Sequence, residues 1–404
     1  MSHCKTRSFA KRESADGVCR ICGSWNCKKH SLLLGKAVSI DHFSGSSPPE
    51  IFVGRYGYPQ VNTGILSPTE YGQTEILSSP EIWHEKKLPI NSVLQLRKQL
   101  IYGRFQSNIK IPLNEKNKFL PVMQEVAMTH KSISTEFTLK KPISAHKEQD
   151  SRVPLINNAT PISSVVLQEN AQVKPKIDYL VNDTDVKSKV AMLELEKSGI
   201  SNSSIIKILS AGLLGLKKNR TLVPTRWSIT AVDDTLSKNK LEKIRFNKQI
   251  SDFQVFTAEY VGNHYEFLLL PSQWSFEVIE ISLKSQEAWH DYESFFPRKG
   301  YADSVTGAYY ANRLALTEYL ERIQKQCSCI VFREVRPEYY APLGVGILRQ
   351  TSREAFSKKE KSFNTLKEAL IDIQSRLRMP ITNFTDKSII LKNFGKQKRI
   401  SDYF

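Results

Sequence analysis

Apolar positions along the chain recur with two different periods, and the changes between them outline its elements. From about 37 to 66 the text is dense in Gly, Pro and Ser, which predicts loops around a short strand at Phe52 and Val53. Residues 91–107 read as a helix: Asn91 suits the N-cap, Leu94, Leu96, Leu100 and Ile101 give an apolar face, and Gly103 would end it. Another helix is expected over 116–129, where Phe119, Leu120, Met123, Val126 and Ala127 are apolar. The stretch 130–180 is polar, with scattered Pro and no sustained period, the pattern of a long surface excursion. Helical spacing returns at 185–197 and 202–214. Residues 253–283 read as three strands: FQVFTAEY and HYEFLLL form a hairpin across Val261, Gly262 and Asn263, and WSFEVIEISL follows. An amphipathic helix at 305–326 turns Leu314, Leu316, Tyr319, Leu320 and Ile323 inward. Strands CSCIVFREV and LGVGILRQ come next, then a helix at 364–378 and a basic tail from 383 to 404. There is no internal repeat.

A chain of 404 residues is too long for one ordinary core and suggests two to three domains. It has no run of eighteen apolar residues, so no membrane partner is expected. The basic start MSHCKTRSFAKRE has no apolar region behind it and does not read as a secretory signal; a cytoplasmic, nucleoid-associated location is expected. Net charge is +17, compatible with a polyanionic partner such as DNA.

Cysteine usage adds chemistry at one end. Cys19-x2-Cys22-x4-Cys27-x2-His30 places three thiolates and an imidazole within twelve residues, a set that suits tetrahedral zinc. Gly23 after Cys22 permits the positive φ of the turn between ligands. Four protein ligands leave no open position, so the zinc would be structural; Cys4 rivals His30 as fourth ligand. Cys327 and Cys329 stand two apart on an expected strand, share a face, and read as buried small hydrophobes.

The other end carries a motif. Gln397, Ile400, Tyr403 and Phe404 follow a spacing that puts Ile400 and Tyr403 on one face of a 3₁₀ turn, with Phe404 beside them. This resembles the PCNA-interacting peptide of sliding-clamp partners, with every key position filled.

Three internal blocks interleave arginine, aromatics and acids: FVGRYGYP at 52–59, LVPTRWSITAVDD at 222–234, and REVRPEYY at 333–340. Arginine beside Tyr or Trp is a kit for a phosphate and a stacked base. The paired Asp233 and Asp234 could hold a divalent ion, although adjacent acids are often a helix start or a solvated turn. With FSGSSPPEIFVGRYGYPQVN, VNDTDVK, and ADSVTGAYYANRLALTEYLERI running into REVRPEYYAPLGV, these blocks make residues 17–404 resemble the archaeal Nre family of DNA repair proteins, NreA type. That resemblance implies an N-terminal four-cysteine zinc motif, with His30 here in place of the last Cys, and a C-terminal clamp-binding peptide. It also implies a DNA-damage response in concert with the clamp.

The expected fold is α+β and mixed: a small N-terminal zinc module, a central α/β core with antiparallel strands, and a disordered C-terminal tail. The expected divisions are 1–34 for the disordered start and zinc module, 35–300 for the Nre N-terminal core, 301–382 for the Nre C-terminal domain and 383–404 for a flexible tail. Three functions compete: a clamp-tethered repair factor that binds DNA; a clamp-recruited enzyme of nucleotide or nucleic-acid chemistry, with Arg55, Arg226, Asp233, Asp234 and Glu338 as candidates; and a non-catalytic adaptor for other repair proteins. A shared cleft joining Arg55, Arg226 and Asp233 would favour the enzyme.

Overall fold

The structure is a computed structural model that describes residues 40–145, 152–154, 156 and 158–395. The described residues form two large mixed sheets, a two-stranded sheet, twelve α-helices and three short 3₁₀ helices. None of these helices is long and apolar enough to cross a membrane.

The first sheet uses β1 (His42–Ser47), β2 (Ile51–Val53), β3 (Gln60–Ser67), β4 (Ile101–Asn108), β5 (Ile133–Leu139), β6 (Ser144–Ala145) and β7 (Asn158–Leu167). Their order is β1-β5-β7-β4-β3-β2, with β6 on β7. Only β4 and β7 run parallel. In β5, Ile133, Thr135, Phe137 and Leu139 are buried while the alternate positions are not, the period of a strand with one covered face. Strands β3 and β4 approach so closely that a Cβ on Gly64 would lie 2.0 Å from the Gly103 carbonyl oxygen.

Short helices α1 (Pro80–Glu85) and α2 (Ile90–Lys98) precede β4, and α3 (Phe119–Met128) follows it. Helices α4 (Pro175–Asn182), α5 (Ser188–Lys197) and α6 (Asn202–Ser210) lead into the twenty-residue α7 (Thr225–Ile244). Their apolar faces and the first sheet form one core, including Phe137, Met123, Leu195, Ile205 and Val232.

The second sheet has the order β12 (Ala288–Glu293), β11 (Ser275–Ser282), β14 (Ser328–Val335), β10 (Asn263–Leu270), β9 (Phe253–Tyr260), β15 (Lys361–Phe363). After the two-residue β8 (Lys248–Gln249) come β9 (Phe253–Tyr260), β10 (Asn263–Leu270), β11 (Ser275–Ser282) and β12 (Ala288–Glu293). Helix α8 (Gly307–Ile323) then crosses to β13 (Lys325–Gln326), which pairs with β8, and to β14 (Ser328–Val335), which lies parallel to β11. Helix α9 (Val345–Ser357), β15 (Lys361–Phe363), α10 (Leu366–Gln374), α11 (Thr382–Thr385) and α12 (Ile389–Asn393) complete the order. Helices α7, α8 and α9 contribute to the core on one face of this sheet, and α10 to α12 contribute to the core on the other. Because both faces are covered, β10 is buried at every position. Cys327 and Cys329 are both buried, as their spacing predicts, and burial pushes both thiols well up.

The architecture is mixed α and β, as expected, but several elements differ. The helix expected over 91–107 stops at Lys98, and IYGRFQSN becomes β4. Gly103 marks a close approach rather than a helix end: a Cβ there would stand 3.0 Å from the Phe137 ring. The stretch 130–180 is no surface excursion, since it supplies β5 and β7, two inner strands of the first sheet. The loops expected around Phe52 carry β1 and β3 on either side of β2. LGVGILRQ enters α9 instead of a strand; its short apolar run belongs to a longer helical period that also buries Thr351, Ser352, Ala355 and Phe356.

One expected division changes as well. The second sheet takes strands from both sides of residue 300. The flexible tail expected from 383 is folded as far as 395. Phe384 and Ile390 are buried, and the Phe394 ring lies 5.7 Å from that of Phe253. Glu277, fully buried on β11, accepts hydrogen bonds from Ser388 Oγ at 2.6 Å and from the Ile389 and Ile390 amides at 2.6 and 3.2 Å. His290 Nε2 stands 2.6 Å from the same carboxylate.

Candidate functional site

Two of the three arginine-aromatic blocks meet. At the β2–β3 turn, Gly54 donates to the Asn62 carbonyl at 2.8 Å, and Gln60 donates to that of Gly57 at 2.9 Å. Gly57 has φ +82°, and a Cβ there would come 2.7 Å from the Gln60 oxygen, so the turn requires glycine. The Pro59 carbonyl accepts from Ile109 at 2.9 Å, tying the turn to the end of β4.

The second block is held against the first. Leu222 donates to the Ile109 carbonyl at 2.7 Å, Val223 to that of Ser210 at 3.1 Å, and the Val53 amide to Thr225 Oγ1 at 2.9 Å. These bonds start α7 beside the turn. The Tyr58 and Trp227 rings face each other at 6.2 Å with planes inclined by 55°. The Arg55 guanidinium lies 4.6 Å from the Tyr56 ring centroid and donates to the Tyr56 hydroxyl at 2.9 Å. Tyr56, Tyr58 and Trp227 are 65%, 54% and 44% exposed. The N-terminus of α7 adds partial positive charge to this face.

The acids of the same block leave that face. Asp233 lies seven residues beyond Arg226, about 10 Å further along the axis. It is fully buried and accepts from Arg349 Nε and Nη2 at 2.9 and 2.7 Å. Burial pushes its carboxyl up, against the pull of Arg349. Asp234, turned about 100° around the helix, pairs with Arg313 and, at 2.8 Å, with Lys238. Arg313 also donates to Glu293 Oε2 at 2.7 Å. The adjacent acids therefore do not converge, and among the described residues no group of three or more His, Cys, Asp or Glu could hold a metal ion.

The third block is elsewhere. Arg336 is buried and bonded to Glu334 at 2.9 Å and Glu259 at 2.6 Å. Tyr339 follows the turn beside Gly262 and accepts from the Leu343 amide at 3.0 Å. Glu338 is exposed and bonded to Arg378 at 2.8 Å, which lowers its carboxyl. Of the five candidates, Arg55 lies on Tyr56 at the aromatic face and Arg226 stands in the first turn of α7, while Asp233, Asp234 and Glu338 each serve an ion pair. Cys4, Cys19, Cys22, Cys27 and His30, and Gln397, Ile400, Tyr403 and Phe404, lie outside the described residues.

One feature escaped sequence reading. A cleft of about 600 Å³ opens over Asn62, Arg104, Gln106 and Pro161 on the first sheet, bounded by Lys140 and by 116–119 at the start of α3. Its four cations come from three segments, which a linear scan does not join; only Asn62 stands near a block that was noticed.

The family model described as Archaeal Nre, N-terminal, matches residues 18–289, and that described as Archaeal Nre, C-terminal, matches 293–403. The chain is 36% identical over 368 residues to a protein named DNA repair protein NreB from Archaeoglobus fulgidus, covering 89% of this chain and 91% of that one. It is 31% identical to DNA repair protein NreA of Haloferax volcanii, covering 91% and 90%, and 34% identical to DNA repair protein NreA of Archaeoglobus fulgidus, covering 88% and 91%. No solved structure matches.

Proposed function

This chain belongs to the archaeal Nre family, and from that premise we propose that it is a DNA repair protein that contacts DNA through the Tyr56–Tyr58–Trp227 face and is tethered to the PCNA sliding clamp by Gln397, Ile400, Tyr403 and Phe404. The names of its relatives support the repair role. The observation that carries the DNA contact is the meeting of Tyr58 with Trp227 beside Arg55. Exposed rings offer a base a stacking surface, and stacking is worth roughly 1–3 kcal/mol per base. Arginine and the α7 N-terminus favour the phosphates. Zinc held by Cys19, Cys22, Cys27 and His30 would staple the N-terminal segment, with Cys4 as alternative to His30.

The separation of Asp233 from Arg55 and Arg226 favours a binding role over the enzymatic alternative; an adaptor holding other repair proteins remains the second reading. Fluorescence anisotropy with a short labelled duplex bearing a single-stranded end tests the DNA contact. Tyr58→Ala/Trp227→Ala is expected to lower affinity by at least about tenfold, or roughly 1.4 kcal/mol. Unchanged affinity in a folded double variant would remove this face from the model, and no DNA binding at low salt would shift the reading to the adaptor.

A further inference from the structure

We propose that the cleft over Asn62, Arg104 and Gln106 is a second site, which takes one nucleotide unit of a single DNA strand. The proposal rests on the DNA reading above but uses different residues from the aromatic face.

The cleft has the chemistry of such a ligand on its walls. Arg104, Lys116, Lys118 and Lys140 all line it, and no carboxylate does. Among the described residues none of these four takes part in an ion pair, in a molecule where Arg313, Arg333, Arg336, Arg349, Arg353 and Arg376 all do. Four like charges around one hollow repel one another, a cost that a bound anion reverses. A phosphodiester supplies that anion.

The floor suits a base. Asn62 and Gln106 are cross-strand partners on β3 and β4, and both side chains line the cleft. Neither side-chain amide is hydrogen-bonded within the described protein, so each offers a donor and an acceptor to a base edge. Asn117, by contrast, is committed: its amide donates to the Gln106 carbonyl at 3.1 Å and Ser107 Oγ at 2.8 Å, which fixes the start of α3 as a wall. Phe119 on that wall and Pro161 opposite Arg104 supply apolar surface, and Lys118 Nζ lies 5.6 Å from the Phe119 ring centroid. A volume of about 600 Å³ falls within the range of sites for small molecules, roughly 300–1,000 Å³. A hollow of that size has room for one nucleotide unit.

The two sites are joined by one strand. Gln60 and Asn62 stand on the same face of β3, about 6.6 Å apart, and Gln60 directly follows the turn that carries Tyr58 and Pro59. A strand stacked at Tyr58 would therefore run toward the cleft.

The test is anisotropy of a fluorescein-labelled ten-nucleotide oligo(dT) with the full chain. Its variants are Lys118→Glu/Lys140→Glu and a control pair, Lys243→Glu/Lys367→Glu, with the same charge change at exposed positions away from the cleft. The cleft pair is expected to lose at least tenfold in affinity and the control pair less than threefold. The slope of log affinity against log salt should fall by about 1.4 in the cleft pair, as expected for two lost phosphate contacts on a single strand. Gln106→Glu, a single exposed change, is expected to lose several-fold. Equal losses in the two charge pairs, unchanged affinity in the cleft pair, or no saturable oligo(dT) binding by the wild type would each overturn the proposal. Duplex binding that depends on Tyr58 and Trp227 would survive any of these outcomes. Conversely, cleft-dependent oligo(dT) binding that ignores Tyr58→Ala/Trp227→Ala would support the cleft, and the same variant leaving duplex binding unchanged as well would sink the aromatic face.

Discussion

Asp233 on α7 and Arg349 on α9 hold each other in a two-point grip, with Nε and Nη2 at 2.9 and 2.7 Å from the two carboxylate oxygens and both side chains enclosed. The pair joins the helix that begins at the aromatic face to a helix packed on the second sheet. Removing one partner leaves an unpaired charge in a closed space. Arg349→Ala is expected to cost about 3–5 kcal/mol, read as a shift of the urea midpoint. Asp233→Leu/Arg349→Met should recover much of that loss, because two apolar side chains leave no orphan charge. A single variant as stable as the wild type would show that the grip carries little of the fold.

Acid should weaken the α1–α9 contact in two stages. Burial and the nearby Lys87 hold the His84 imidazole below its ordinary value of 6.5. The unfolded chain therefore takes up that proton first, and stability falls as pH drops below about 6.5. Glu354 stands 2.9 Å from His84 and 3.0 Å from Lys358. Desolvation raises its carboxyl, but the bonds from Lys87 and Lys358 outweigh it and hold the group low. Its contribution is present above the ordinary value of 4.5 and is lost as pH falls through the lower, folded value. Urea midpoints measured between pH 7.5 and 3.5 should decline in both windows, and His84→Gln should flatten the upper one. A midpoint that rises from pH 7.5 to 5.5 would contradict this sign.

Purified protein never exposed to chelator should carry one zinc per chain. Cys22→Ser should abolish it, and His30→Ala should reduce it. Full zinc in His30→Ala together with loss in Cys4→Ala would reassign the fourth ligand, while a stoichiometry near zero in the wild type would end the zinc proposal.

The peptide 397–404 should bind the clamp in isolation and supply most of the affinity of the full chain. Buried aromatic and aliphatic side chains contribute roughly 1.5–3 kcal/mol each, less the ordering of a short turn. Tyr403→Ala/Phe404→Ala should therefore weaken binding at least about a hundredfold, roughly 2.7 kcal/mol. Calorimetry of a chain truncated after Lys396 decides the matter: affinity equal to that of the full chain would make the peptide incidental.

The sequence was legible where one period ran unbroken. The hairpin at Val261 and Gly262 and helix α8 stand close to where alternation and helical spacing put them. It was misleading where a single residue had two physical uses. Gly103 reads as a helix end, yet its missing side chain makes room for Phe137. Val345 and Ile347 read as strand alternation, yet they open a helix whose length only the later residues reveal. The site divided in the same way. The turn of Gly57 and the rings of Tyr58 and Trp227 were visible as composition, but their contact depends on Thr225 meeting Val53 across 172 positions. The two acids after Trp227 were visible too. Their separation is a property of helical rotation combined with which arginine each happens to face.

The anchoring of α12 by Glu277 has a bearing on reach. Phe394 is fixed against Phe253, and Gln397 is only three residues further on. At about 3.3–3.6 Å per residue at full extension, three residues span no more than about 10 Å. If Gln397 is the first residue to engage the clamp, as proposed, the body would be held close to the ring, with a narrow choice of orientations toward DNA inside it. Inserting a flexible segment after Phe394 would lengthen the swing without touching either binding surface, so any function that needs a set angle should fade with insert length while clamp affinity holds.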